Sequence, residues 1–164
     1  MTRNKKLMTA AAAAVIALVL APVAAIASTG SPANSHGPRV IHVVEHAITD
    51  TVQQFHPPQD SLGDVLGFHN PVYNASNTRR VGMDNGFCIR TVATGKTEWE
   101  CTWTTLLAGG DLTVQGPYYD DGTDTTLAIT GGTGRFTGAA GSMLLHATGN
   151  PVGSEYDFIF TLAR

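Results

Sequence analysis

Charge is scarce in this 164-residue chain, and positive charge is the scarcer kind: Lys and Arg number 10, Asp and Glu 13, and charged residues make up 14% of the total. Three of the bases, Arg3, Lys5 and Lys6, precede an apolar run over 7–20, so the chain beyond residue 27 carries seven bases against all 13 acids, a net of about −6. That balance removes the electrostatic footing for nucleic acid. A sustained helical stripe is also missing, as are a serine elbow and a Cys-His nucleophile pair. Gly131-Gly132-Thr133-Gly134-Arg135-Phe136-Thr137-Gly138 lacks the Lys-Ser/Thr ending or strand-to-helix setting of a phosphate loop, and reads as a turn with Phe136 tucked into the core. The length fits one domain and excludes a multidomain machine.

The apolar run is interrupted by Pro22, ends in Ala25-Ile26-Ala27, and is followed by no stop-transfer charges. Those features predict a secretory signal peptide over 1–27 rather than a membrane anchor, and hence an extracellular protein with no membrane association after cleavage near Ala27. Residues 28–38 show no periodicity and read as a flexible lead-in. With 18 glycines and an apolar fraction of 43%, the domain over 39–164 is expected to be compact, its function held in an interior or a cleft.

Eight short segments of strand character follow, over 40–51, 64–69 (ended by Asn70-Pro71), 80–92, 97–107, 112–115, 125–130, 142–148 and 155–162, with glycine or proline in nearly every gap. The pattern predicts an all-β fold, an eight-stranded antiparallel closed barrel. The two cysteines test the register. If Thr94-Gly95 is a two-residue hairpin turn, Cys88 faces Cys101 at a narrow, non-hydrogen-bonded pair, where a cross-strand disulfide fits. The same register puts Trp99 and Arg90 on the cysteine face and sends Phe87, Ile89, Glu98 and Glu100 to the other. His42-Val43-Val44-Glu45-His46 matches an inverted zinc-protease motif, but on a strand both histidines take one face and Glu45 the other, so no metal site is expected there. The remaining histidines have no diagnostic spacing.

Several segments, in order and at similar spacing over 61–141, resemble the allene oxide cyclase family, whose barrel is related to that of dirigent proteins. They are Ser61-Leu62-Gly63-Asp64 with Phe68-His69-Asn70-Pro71-Val72-Tyr73, Val81-Gly82 with Gly86-Phe87-Cys88, Val114-Gln115-Gly116-Pro117-Tyr118, and Leu127-Ala128-Ile129-Thr130-Gly131-Gly132-Thr133-Gly134 with Phe136, Gly138 and Gly141. The resemblance implies a lipocalin-like barrel with an apolar cavity, commonly trimeric. In the plant enzymes an unsaturated fatty-acid epoxide cyclises inside it through proximity and orientation, aided by polar groups that stabilise developing charge.

Carried over residue by residue, Phe68 and Asn70 match the family's cavity-lining Phe and water-holding Asn, Cys88 and Tyr118 match lining residues, Trp99 stands near a family Phe, and Glu45 stands for the first-strand Glu. Leu66 shares the Phe68 face by period-two spacing. The expected site is therefore Asn70, Tyr118 and Glu45 as polarising groups, with Leu66, Phe68, Cys88 and Trp99 shaping the substrate. This chain departs from the plant pattern between Glu45 and Ser61, where it is shorter and carries His56-Pro57-Pro58 in place of a Gly-Ser-Pro turn, and at Arg90, which replaces an apolar residue. The expected function is an isomerase: cofactor-independent cyclisation or isomerisation of a small hydrophobic molecule. The alternatives are a non-catalytic dirigent-like or lipocalin-like binder and a barrel packed solid by its own side chains.

Overall fold

The computed structural model describes residues 38–149, 151 and 153–163. The expected leader over 1–27 lies outside the described residues, as does the lead-in apart from Pro38. The strands are β1 (Arg39–His46), β2 (Thr51–Gln53), β3 (Val65–Asn74), β4 (Arg80–Val92), β5 (Glu98–Leu107), β6 (Gly110–Tyr119), β7 (Thr125–Gly132), β8 (Gly141–Thr148) and β9 (Glu155–Leu162). They form one antiparallel sheet in the order β1-β9-β8-β7-β6-β5-β4-β3-β2, and β1 also pairs with β3, which closes the sheet on itself. Thr51 faces Gly67 while Glu45 faces Val72, so β1 and β2 lie end to end along the same edge of β3. They are two pieces of one wall, and the closed barrel has eight staves, as the sequence predicts. No helix among the described residues is long and apolar enough to cross a membrane.

Three local expectations change. The single strand expected over 40–51 is broken at 47–50, where the backbone leaves the wall. The strand expected to stop before Asn70-Pro71 instead runs through both to Asn74. Proline lacks an N–H, so it survives in a strand only where no ladder bond is needed. The amide of His69 points toward the break and bonds Thr49 Oγ1 at 2.8 Å, so by strand alternation Pro71 presents its nitrogen on that same side, beside the gap. The third change is the β4–β5 turn. It is a five-residue loop, 93–97, preceded by a bulge that places one extra residue, Thr91, between the Arg90↔Trp99 and Val92↔Glu98 pairs. The bulge absorbs the difference, and Cys88 still faces Cys101, their Cα atoms 4.0 Å apart and their sulfurs at bonding distance.

Alternation fills the interior. On β9, Tyr156, Phe158, Phe160 and Leu162 point inward, and Phe158 and Phe160 are fully buried. Such rings contribute about 1.5–3 kcal/mol each relative to exposure. Val72, Leu112, Val114, Leu127 and Met143 complete the core, and Phe136 enters it from the 3-10 turn Gly134–Phe136, as the glycine-rich turn predicts. Gly86 makes room at the centre. A Cβ there would stand 2.3 Å from Trp103 Cβ and 2.8 Å from the tip of the Phe68 ring, so only glycine lets those two aromatics meet across β4.

Candidate functional site

The break in the first wall is held by one side chain. Asn70, on the inner face of β3, accepts hydrogen bonds at Oδ1 from the amides of Ile48 (3.1 Å) and Thr49 (2.9 Å) and from the Thr49 hydroxyl (2.8 Å). Its Nδ2 donates to Glu45 Oε1 at 2.6 Å and to Asp50 Oδ1 at 2.7 Å. Two amide donors on one side and two carboxylates on the other fix which end of the amide is oxygen. The side chain thus supplies what a continuous ladder would have supplied, and it turns Glu45 and Asp50 toward the barrel axis.

Directly across from Asn70 on β4 stands Asp84, with no solvent exposure and no cation on either oxygen among the described residues. Its neighbour is the carboxyl of Glu45. Burial pushes Glu45 up to about 7, against the Asn70 hydrogen bond that draws it back, and the charge of Asp50 adds to the rise. Burial first, and then the charge of Glu45, push Asp84 up to about 9. Two close carboxyls without a cation cannot both ionise, so at neutral pH a proton stays with the pair.

Glu45 and Asp50 form the polar side of a small cavity of about 40 Å3. That is room for roughly three waters, so the interior is neither packed solid nor preformed for a bulky ligand. The walls are Leu66, Phe68, Trp103, Leu145 and Phe158, with the Cys88–Cys101 bridge on one side. Tyr118 and Tyr156 stand beside them, hydroxyls 2.9 Å apart and rings edge to face. Burial raises both phenols above their ordinary range, so they remain hydroxyl donors. Trp103 adds a buried indole N–H with no partner among the described residues.

Of the residues expected from sequence, Glu45, Tyr118, Leu66, Phe68 and Cys88 line this cavity. Asn70 and Trp99 do not. Asn70 is fully buried behind the Glu45–Asp50 wall with every polar atom engaged, which makes it a positioning residue. Trp99 faces inward as the register predicts but sits beyond the disulfide, its Nε1 donating to Asp120 Oδ1 at 2.7 Å and its ring 4.0 Å beneath the Arg90 guanidinium. Arg90 is buried among three carboxylates, Asp120 (2.8 Å), Asp60 (3.3 Å) and Asp64 (3.6 Å). His42 and His46 lie on the outer face, paired with Asp157 and Asn77, while Glu45 points inward, the split that a strand dictates. Asp50, Asp84, Trp103 and Tyr156 were not anticipated. Period-two spacing from Cys88 reaches Asp84, and the Glu-Tyr-Asp-Phe-Ile-Phe alternation of β9 marks Tyr156 as inward. Nothing in the sequence marks Asp50 as the residue after a break.

Three solved structures share the fold. A pyocyanin demethylase superposes with a TM-score of 0.66 at 22% identity, covering 76% of this chain and 100% of that one. A pterocarpan synthase dirigent protein gives 0.58 at 17%, covering 77% and 96%. An exo-specific intermolecular Diels–Alderase gives 0.61 at 12%, covering 77% and 98%. The family model for allene oxide cyclase matches residues 45–162, from the cavity carboxylate of β1 to the last residue of β9. The chain therefore belongs to the allene oxide cyclase family.

Proposed function

We propose that the barrel binds a small apolar or amphipathic molecule in its cavity and steers the cyclisation or isomerisation of that molecule without a cofactor. The observation that carries this reading is Glu45: a carboxyl in an apolar cavity, fixed by Asn70, backed by Asp84, with its proton affinity raised to about 7. A group titrating near the working pH both takes and returns protons efficiently, and such transfer contributes on the order of 10²–10⁴ in rate. Tyr118 and the Trp103 N–H supply donors for an oxygen that gains charge, while Leu66, Phe68 and Cys88 hold the carbon skeleton in a reactive fold. Because the open space is small, a ligand enters only as side chains around the cavity move aside.

Secretion, supported by the leader pattern, and assembly as a homotrimer, supported by family membership, complete the proposal. The test incubates purified protein with fatty-acid epoxides and with polyene and polyketide precursors. A stereochemically biased product is expected, with Glu45→Gln losing turnover more than affinity. A product mixture identical to the uncatalysed one across the panel would leave only the non-catalytic, dirigent-like role.

A further inference from the structure

The cavity contains no Lys or Arg among its lining residues, and the nearest buried cation is spent elsewhere. Arg90 stands beyond the disulfide with Asp60, Asp64 and Asp120 around its guanidinium and Trp99 beneath it. On the polar side the cavity meets Glu45 and Asp50 with Asp84 directly behind them, three carboxyls with no positive partner among the described residues. The opposite walls carry the rings of Phe68, Trp103, Tyr118, Tyr156 and Phe158.

Aromatic faces attract cations through the ring quadrupole, and a fixed carboxylate in a water-poor site attracts them further. The same surroundings oppose a carboxylate ligand twice, by repulsion and by taking its charge out of water without a partner. We infer that this cavity prefers a cationic ligand, such as one with a protonated or quaternised nitrogen, over a neutral one and excludes carboxylates. The inference rests on the proposed function, because it assumes that this cavity is the binding site. Within the substrate panel it favours uncharged polyene and polyketide precursors over fatty-acid epoxides, which carry a carboxylate at one end.

Three bicyclic probes of similar size distinguish the cases: 1-methylquinolinium, 2-naphthol and 2-naphthoate, titrated by calorimetry against the full barrel at neutral pH. The cation is expected to bind at least tenfold more tightly than the carboxylate, a gap of about 1.4 kcal/mol, with the neutral phenol between them. Glu45→Gln is expected to shrink the gap below about threefold, and Asp50→Asn, nearer the rim, to shrink it in the same direction. The Asp50 variant keeps the test intact if the Glu45 variant does not fold, which circular dichroism reports. Naphthoate binding as tightly as the cation, or a cation preference untouched by both substitutions, would overturn the inference. Failure of all three probes to bind would overturn it as well, yet leave the steering of a reaction standing, because turnover on the substrate panel is read separately.

Discussion

Two buried charge clusters share the inner face of β4, six residues apart, and they are built in opposite ways. At Arg90 a guanidinium with 4% of its side chain exposed meets three carboxylates and an indole ring, so that the acids there share a buried cation. At Asp84 a carboxyl with no exposure faces other carboxyls and no cation. The Cys88–Cys101 bridge stands between them. Paired burial is what a fold does to close its own end; unpaired burial costs stability and persists where the raised proton affinity has a use. The contrast sets a cation-paired plug beside a carboxyl wall without a cation within one strand.

The largest effect is expected at the plug. Arg90→Met should leave Asp64 and Asp120 without their cation and lower unfolding free energy by about 3–5 kcal/mol, measured by urea denaturation. A change below about 1 kcal/mol would mean the cluster is not the closed unit described. Next is the opposite substitution at the wall. Asp84→Asn should leave stability unchanged or raise it by about 1 kcal/mol, because it removes a buried unpaired acid, while turnover falls by about tenfold or more. Loss of stability with turnover preserved would reverse the two roles.

The smallest effect is the pH dependence, where the clusters pull in opposite directions. Glu45 and Asp84 keep protons in the folded state that the unfolded chain has already released. Their contribution is thus full below about pH 4 and is lost as pH rises through about 7 for Glu45 and about 9 for Asp84. Asp64, held below its ordinary value chiefly by the amide of Phe55, contributes above that value and loses its contribution as pH falls. A Glu45→Gln/Asp84→Asn double variant should flatten the decline toward alkaline pH and leave the acid-side loss in place. An alkaline decline that survives both substitutions would assign it to other groups.

The barrel was legible because alternation and turn residues are local signals, and the Cys88–Cys101 register because hairpin pairing is arithmetic along the chain. That register holds although the turn is longer than two residues, since the bulge at Thr91 cancels the change. The break at 47–50 was hidden, as Ile48 and Thr49 have strand-like side chains and neither glycine nor proline marks the departure. Its cause lies twenty residues away in Asn70, whose amide replaces the ladder. Asp84 was hidden for a related reason: its inward face follows from spacing, but its partner Glu45 comes from a strand three positions earlier in the chain that reaches it only when the barrel closes. Phe68 and Tyr118 were found through family resemblance, which reports the lining of a cavity and not the groups standing behind it.

The central claim is that a proton is shared between Glu45 and Asp84 at neutral pH. Infrared spectroscopy in D2O reads it directly, because a protonated carboxyl and a carboxylate have separate C=O stretches. A carboxylic-acid band is expected at pH 7 in the intact protein and is lost in the Glu45→Gln/Asp84→Asn double variant. Absence of that band in the intact protein, or an unchanged band in the variant, would contradict it.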